Sequence, residues 1–209
     1  MVLVHDAFGS SDDMQEQADW LAAGGYVVAM PDLYRGKRAI SCLKGTFAQL
    51  TAQRGPAFDQ IEATRERLAA SPDCTGAVGV IGYCMGGAFA LLLAGRPGWA
   101  ASSVNYGQMP DNVDEVLAGA CPVVASYGGR DRYLRGAAAT LESALTERGV
   151  DHDVKEYPGA GHAFLNTRDT SPWYLAPMPR LVLRVGPDPV ASADAWARME
   201  GFLGRHLTS

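Results

Sequence analysis

The fold of this chain is decided by AVGVIGYCMGG at residues 77–87, which runs directly into AFALLLA at residues 88–94. The apolar residues before Gly82 have the length of a buried strand, and the second run is apolar all round, as in a helix packed centrally. The glycines between them allow a sharp turn where a side chain would collide with the neighbouring strand or helix. We therefore expect a buried strand, a tight turn carrying Cys84, and a central helix.

The same alternation of strands and helices extends in both directions along the chain. Apolar runs predict strands at residues 1–4 and 26–30 in addition to the strand at 77–81. Three more strand candidates are residues 101–106, 122–127 and 153–157. Apolar residues at helical spacing predict covering helices around Met14, Phe58 and Met199, among others. The expected architecture is a doubly wound, three-layer α/β fold, with a mainly parallel sheet of about six strands and helices on both faces.

Composition limits the classes of function. The 209 residues, 47% of them hydrophobic and 20% charged, suit a single domain over residues 1–209. The net charge of -5 leaves no basic surplus, so we expect no nucleic-acid or membrane partner. Residues 1–6 lack the basic flank of a signal peptide and no apolar run spans a bilayer, which favours a cytoplasmic protein.

Residues 170–190 carry five prolines and are expected to form an irregular excursion near the site.

Cys84 is the candidate nucleophile. The four cysteines form no CxxC pair, which argues against a zinc ribbon or a disulfide framework. GYCMG at residues 82–86 has the form of a nucleophile elbow with cysteine in place of serine, and the helix that follows favours a thiolate. An isolated cysteine would more often be a buried structural thiol, but the elbow favours catalysis.

A nucleophilic cysteine needs a base, and the base needs a carboxylate to fix its tautomer. His162 lies in GAGHAF just past the last predicted strand, and Asp131 lies in GGRD at the end of another. Each could instead be an ordinary loop residue bonded to backbone. The chain order of nucleophile, acid and histidine, each at the carboxyl end of a strand, is that of α/β-hydrolases and predicts a catalytic triad.

An oxyanion formed at Cys84 needs two converging N–H donors. The backbone N–H of Met85, the residue after the nucleophile, is the first. The second is expected from HDAFG at residues 5–9, where we favour the N–H of Ala7, with Phe8 as the neighbouring alternative.

These motifs resemble the dienelactone hydrolase family over nearly the whole chain. The resemblance is carried by HDAFG, PDLY at residues 31–34, GYCMGG, GGRD and GAGHAF. It implies a triad of Cys84, Asp131 and His162, an acyl-thioester intermediate, no metal and no organic cofactor. Family members usually have an earlier pair of strands at one sheet edge, so either the natural start lies upstream of Met1 or this sheet is smaller.

The resemblance also implies roles around the site. The family commonly has glutamate at the position of Asp6, which implies that Asp6 is a partner of the resting thiol; the alternative is that it caps its loop. The resemblance implies that relatives which cleave dienelactones hold the substrate carboxylate with two arginines, one shortly after the catalytic histidine and one after PDLY. In this chain Asn166 stands at the position after His162, and Arg35 or Arg38 is available for the position after PDLY. Further candidates for contact with substrate are Phe8, Tyr34, Tyr83 and Trp173.

The leading hypothesis is a cysteine-dependent hydrolase of a small ester, enol-lactone or thioester. The expected partner is a small-molecule acyl substrate, and the expected oligomeric state is a monomer or homodimer. One alternative keeps the acyl or carbonyl chemistry without water, as in a cyclase, transferase or lyase. Another is a catalytically silent ligand-binding relative, although the triad is intact in sequence.

Overall fold

A computed structural model describes residues 1–37, 39–168 and 185–208 of the chain, and within these ranges it contains one parallel sheet. The strands are β1 (Val2–Val4), β2 (Gly79–Tyr83), β3 (Ala101–Asn105), β4 (Val123–Gly128) and β5 (His152–Tyr157). They lie side by side in chain order and every neighbouring pair is parallel. Strands β1 to β4 are fully buried, as expected for a parallel sheet covered on both faces.

Helices connect and cover these strands. They are α1 (Asp12–Ala23), α2 (Ala39–Ala52), α3 (Pro56–Ala69), α4 (Met85–Ala94), α5 (Val113–Val116), α6 (Ala137–Glu147) and α7 (Pro189–Leu207). The predicted parallel α/β architecture is therefore confirmed. Of the helices in the described part of the chain, none has the length and apolarity needed to cross a membrane.

The predicted strand at residues 26–30 is wrong, so the described sheet has five strands and not about six. The segment forms an isolated parallel bridge between Ala29 and Val2. The N–H of Leu3 donates to the Ala29 carbonyl at 2.9 Å, and the N–H of Ala29 donates to the Met1 carbonyl at 3.0 Å. The apolar residues made the prediction, but the segment lies outside β1 at the sheet edge, and β1 offers only three residues to pair with.

The helices divide between the two faces according to the direction of the crossovers. From β2 onward every connection advances across the sheet in the same direction, so right-handed crossovers put α4 and α6 on one face. There α3 packs on α4 through Phe58 and Phe89, whose rings lie 4.8 Å apart. The connection from β1 to the bridged segment at Ala29 runs the opposite way and puts α1 on the other face, where Trp20 meets Trp196 of α7 at 5.4 Å.

Helix α4 lies at the centre of this arrangement and touches backbone at its first turn. All ten of its residues are buried, and it packs on β1, β2 and β3. A Cβ atom added to Gly82 would lie 1.9 Å from the Gly86 carbonyl oxygen, and one added to Gly86 would lie 2.0 Å from that of Val4. Both contacts are with backbone, which cannot move aside as a flexible side chain can. The turn around Cys84 is therefore fixed by close contact between the helix and two strands.

Gly86→Ala should test this contact. We expect it to lower the free energy of unfolding by roughly 3 kcal/mol, or to prevent folding, because the added methyl overpacks a rigid backbone contact. Gly201→Ala is the matched control, since an added Cβ in the middle of α7 meets nothing within 4 Å. That control should gain about 0.5–1 kcal/mol of helix propensity. Urea unfolding of the two variants measures both effects, and equal stabilities would contradict the account.

Candidate active site

Cys84 occupies the turn between β2 and α4 in a conformation that few residues adopt. Its φ of 54° and ψ of -112° lie in a strained region, where a non-glycine residue costs about 1–3 kcal/mol. The N–H of Cys84 donates to the Asn105 carbonyl at 3.0 Å, which ties the turn to β3. The half-buried side chain opens into a cavity, while the N–H of Met85 is in the first turn of α4 and has no partner within the helix.

His162 and Asp131 meet beside this turn. His162 Nδ1 lies 2.6 Å from Asp131 Oδ2, and both residues are buried. The other carboxylate oxygen of Asp131 accepts the N–H of Tyr133 at 3.0 Å, so the carboxylate is held from two sides. With Nδ1 occupied by Asp131, Nε2 is the nitrogen left to exchange a proton with Cys84.

The pKa of His162 depends on burial and on its contacts with both Asp131 and Cys84. Burial lowers the pKa of His162. Electrostatic interaction and a hydrogen bond with Cys84, together with the hydrogen bond and charge of Asp131, outweigh burial and raise that pKa to about 10. In its protonated form the imidazole can give a proton to a leaving group.

The loop at residues 5–9 holds in one orientation the peptide of Ala7, the predicted second N–H donor. His5 Nε2 accepts the N–H of Leu33 at 3.2 Å, so its Nδ1 carries the proton and donates to the Asp6 carbonyl at 2.7 Å. Burial lowers the pKa of His5, which keeps this tautomer neutral. The Asp6 carbonyl and the Ala7 N–H belong to one trans peptide and point in opposite directions. Holding the carbonyl therefore also fixes the direction of the Ala7 N–H. Among the described residues, no acceptor takes the Ala7 N–H.

The alternative donor, Phe8, is already engaged. Its N–H donates to Asp6 Oδ1 at 2.7 Å, and Tyr34 donates its hydroxyl to the Ala7 carbonyl at 2.9 Å. Both ends of the Ala7–Phe8 peptide are therefore held. Burial raises the pKa of Asp6 to about 6, while the Phe8 N–H and the charge of His162 act in the opposite direction. The observed contact of Asp6 is the loop cap, and its role as partner of the Cys84 thiol stays a prediction.

The cavity at Cys84 and His162 measures about 270 Å³ and is mainly apolar. Its other lining residues are Phe47, Met85, Ala88, Tyr106, Gln108, Tyr133 and Leu134. Most of these were not predicted. Tyr106 follows β3 and Tyr133 follows Asp131, so their positions at strand ends were a usable signal. Phe47 comes from α2 through tertiary packing, which no local pattern shows.

Four predicted contacts lie elsewhere. Arg35 is exposed and lines a separate cavity beside Tyr34, away from Cys84. Tyr83 is buried in the core with its ring 6.3 Å from that of Tyr106. Asn166 is also buried and accepts the hydroxyl of Tyr106 at 3.2 Å. Phe8 is exposed beside the loop. None of these four lines the Cys84 cavity, and neither does Tyr34, a further predicted contact, which lines the same cavity as Arg35.

The remaining predicted contacts, Trp173 and Arg38, lie outside the described residues, as does most of the segment 170–190. Within the described ranges, no group of three histidine, cysteine or acidic side chains is arranged to hold a metal ion.

The sequence matches the model of the Dienelactone hydrolase family over residues 1–207. This chain belongs to that family. A carboxymethylenebutenolidase of Pseudomonas putida is 28% identical over 178 residues, which are 80% of this chain and 75% of that protein. A relative from Saccharolobus solfataricus is 32% identical over 125 residues, 60% of this chain and 43% of that protein.

Solved structures agree on the architecture of this dienelactone hydrolase family member. The crystal structure of a dienelactone hydrolase-like promiscuous phosphotriesterase from metagenomic libraries has a TM-score of 0.78 and 22% identity, and it covers 99% of this chain and 85% of that one. At that identity the likeness shows the α/β-hydrolase fold alone. Family membership and the carboxymethylenebutenolidase relatives indicate an ester or lactone hydrolase.

Asp131→Asn should test whether Asp131 orients His162 for catalysis. The amide cannot stabilise the imidazolium and favours the wrong tautomer, so we expect ester turnover to fall by roughly 10³- to 10⁴-fold. Asp151→Asn is the matched control, because Asp151 pairs with His206 at 2.9 Å on the surface. Its turnover should stay within about twofold of wild type, since an exposed ion pair contributes little. Equal losses in the two variants would refute the role of Asp131.

Proposed function

We propose that this family member cleaves a small ester, enol-lactone or thioester through an acyl thioester on Cys84. The observation that carries the proposal is the meeting, in one cavity, of a strained cysteine and a histidine held by a buried aspartate at 2.6 Å. The backbone N–H groups of Met85 and Ala7 are the oxyanion donors in this proposal, and Met85 lines the same cavity.

In the first half of the reaction, the Cys84 sulfur attacks the acyl carbon and the carbonyl electrons move onto oxygen. The N–H groups of Met85 and Ala7 stabilise that oxyanion; losing one such donor costs about 3 kcal/mol of transition-state stabilisation. The tetrahedral intermediate collapses, the bond to the leaving oxygen or sulfur breaks, and His162 supplies the proton that the leaving group takes away.

In the second half, His162 is neutral and removes a proton from water, which attacks the thioester carbon. Collapse of this second intermediate expels the Cys84 sulfur and releases a carboxylic acid. Asp131 stays ionised and bonded to Nδ1 throughout, so the imidazole keeps one orientation while it alternates between base and acid. The enzyme returns to its starting charge state.

Cys84→Ala should abolish turnover of p-nitrophenyl butyrate, because the nucleophile is removed while the cavity stays. Intact-mass analysis of quenched wild-type protein should show a butyryl adduct that is absent in the variant. Cys74→Ala is the control, since this half-buried cysteine lies outside the site cavity, and it should keep both activity and adduct. Product analysis should find free butyric acid.

Retained turnover in Cys84→Ala would refute the acyl-thioester route. Transfer or cyclisation of the acyl group without release of free acid, with the adduct present, would favour the non-hydrolytic alternative.

A further inference from the structure

A second cavity continues the active-site cavity along α4. It measures about 420 Å³ and shares three lining residues, Phe47, Ala88 and Gln108, with the cavity that holds Cys84 and His162. Because the two cavities meet at these residues, we treat them as one groove, here called the α4 groove. It extends from the nucleophile to Asn112.

The groove has an apolar floor and two walls. Ala88 is one turn beyond the nucleophile, with its N–H donating to the Cys84 carbonyl at 3.2 Å, and Leu92 lines the groove a further turn along. Eight residues of helix separate Cys84 from Leu92, which corresponds to roughly 12 Å. One wall is α2, through Phe47 and Leu50, and the other is the loop after β3. This length exceeds what an acetyl or small lactone group can fill.

The far end of the groove is polar, and a hydrogen bond there connects its two walls. Gln53 at the end of α2 donates from Nε2 to Asn112 Oδ1 at 2.6 Å, which joins the two walls. Thr51 and Asp111 also line this end. The hydrogen bond between Gln53 and Asn112 sets the width of the groove. Because this end is polar, the middle of the groove is the segment suited to hydrocarbon.

The catalytic groups decide which part of a substrate enters the groove. The leaving group must lie beside His162, since it takes its proton from the imidazole. The carbonyl oxygen must face the N–H groups of Met85 and Ala7. The third substituent of the acyl carbon, the acyl chain, needs a space of its own, and we assign to it the α4 groove, which meets the Cys84 cavity at Ala88.

We propose that the α4 groove binds a linear acyl chain of medium length, so that the substrates are esters or thioesters of such acids. The inference rests on the proposed function of Cys84. Burying a methylene stabilises a complex enough to change a binding equilibrium by roughly fourfold. Chain length should therefore govern specificity until the hydrocarbon reaches the polar end.

A chain-length series tests this. For p-nitrophenyl acetate, butyrate, hexanoate and octanoate, each below its critical micelle concentration and corrected for its rate with hydroxide, kcat/KM should rise at least about tenfold from acetate to octanoate. Thr51→Trp, an exposed position lining the groove, should reduce the octanoate-to-acetate ratio at least about tenfold by filling it. Ala48→Trp, exposed on the same helix and lining neither cavity, should keep the wild-type ratio.

A flat or falling chain-length series, or an unchanged ratio in Thr51→Trp, would overturn the groove assignment. Calorimetry with Cys84→Ala separates this failure from failure of the proposed function, because it does not depend on turnover. Octanamide should bind at least about tenfold more tightly than butanamide. If it does while no ester is hydrolysed, the groove stands and the hydrolytic mechanism fails; if the two amides bind equally, the groove fails.

Discussion

The contact between the first turn of α4 and the backbone of β1 is the constraint on which the site depends. Gly86 lies so close to the Val4 carbonyl that an added Cβ would approach its oxygen to 2.0 Å. This contact allows the chain to turn sharply out of β2, and the turn holds Cys84 at positive φ with its sulfur towards the cavity. The same geometry leaves the N–H of Met85 available beside the nucleophile. Strain at one residue is thus maintained by the packing of an entire buried helix.

Buried polar contacts around residues 5–9 fix the peptide whose N–H, that of Ala7, we propose as the second oxyanion donor. His5, in a single neutral tautomer, connects the Asp6 carbonyl to the N–H of Leu33, and Tyr34 holds the neighbouring peptide through the Ala7 carbonyl. Since buried polar groups with satisfied hydrogen bonds are costly to rearrange, the loop is rigid before substrate arrives. Such preorganisation is what makes N–H donors effective towards a developing negative charge.

The sequence was informative wherever function is tied to the end of a strand. Cys84, Asp131 and His162 could be proposed together because short motifs mark strand ends, and parallel strands bring those ends to one edge. The strand predicted at 26–30 failed because an apolar run does not show whether a partner strand is long enough to pair with it. Phe47 could not be predicted, since the packing of α2 on α4 brings it to the cavity, and nothing in the sequence marks Gln108 in the loop after β3 as a cavity residue. Arg35 was proposed by resemblance, yet its loop turns it to a different cavity.

The central claim is that the fold couples Cys84 to His162, and NMR titration of the His162 imidazole measures that coupling directly. In the wild-type protein the pKa of His162 should lie far above its ordinary 6.5, towards about 10. In Cys84→Ala it should fall markedly, because the interaction and the hydrogen bond with the Cys84 sulfur are lost while Asp131 remains. The same pKa in both proteins, or an ordinary value in the wild type, would show that the two side chains do not act as a pair.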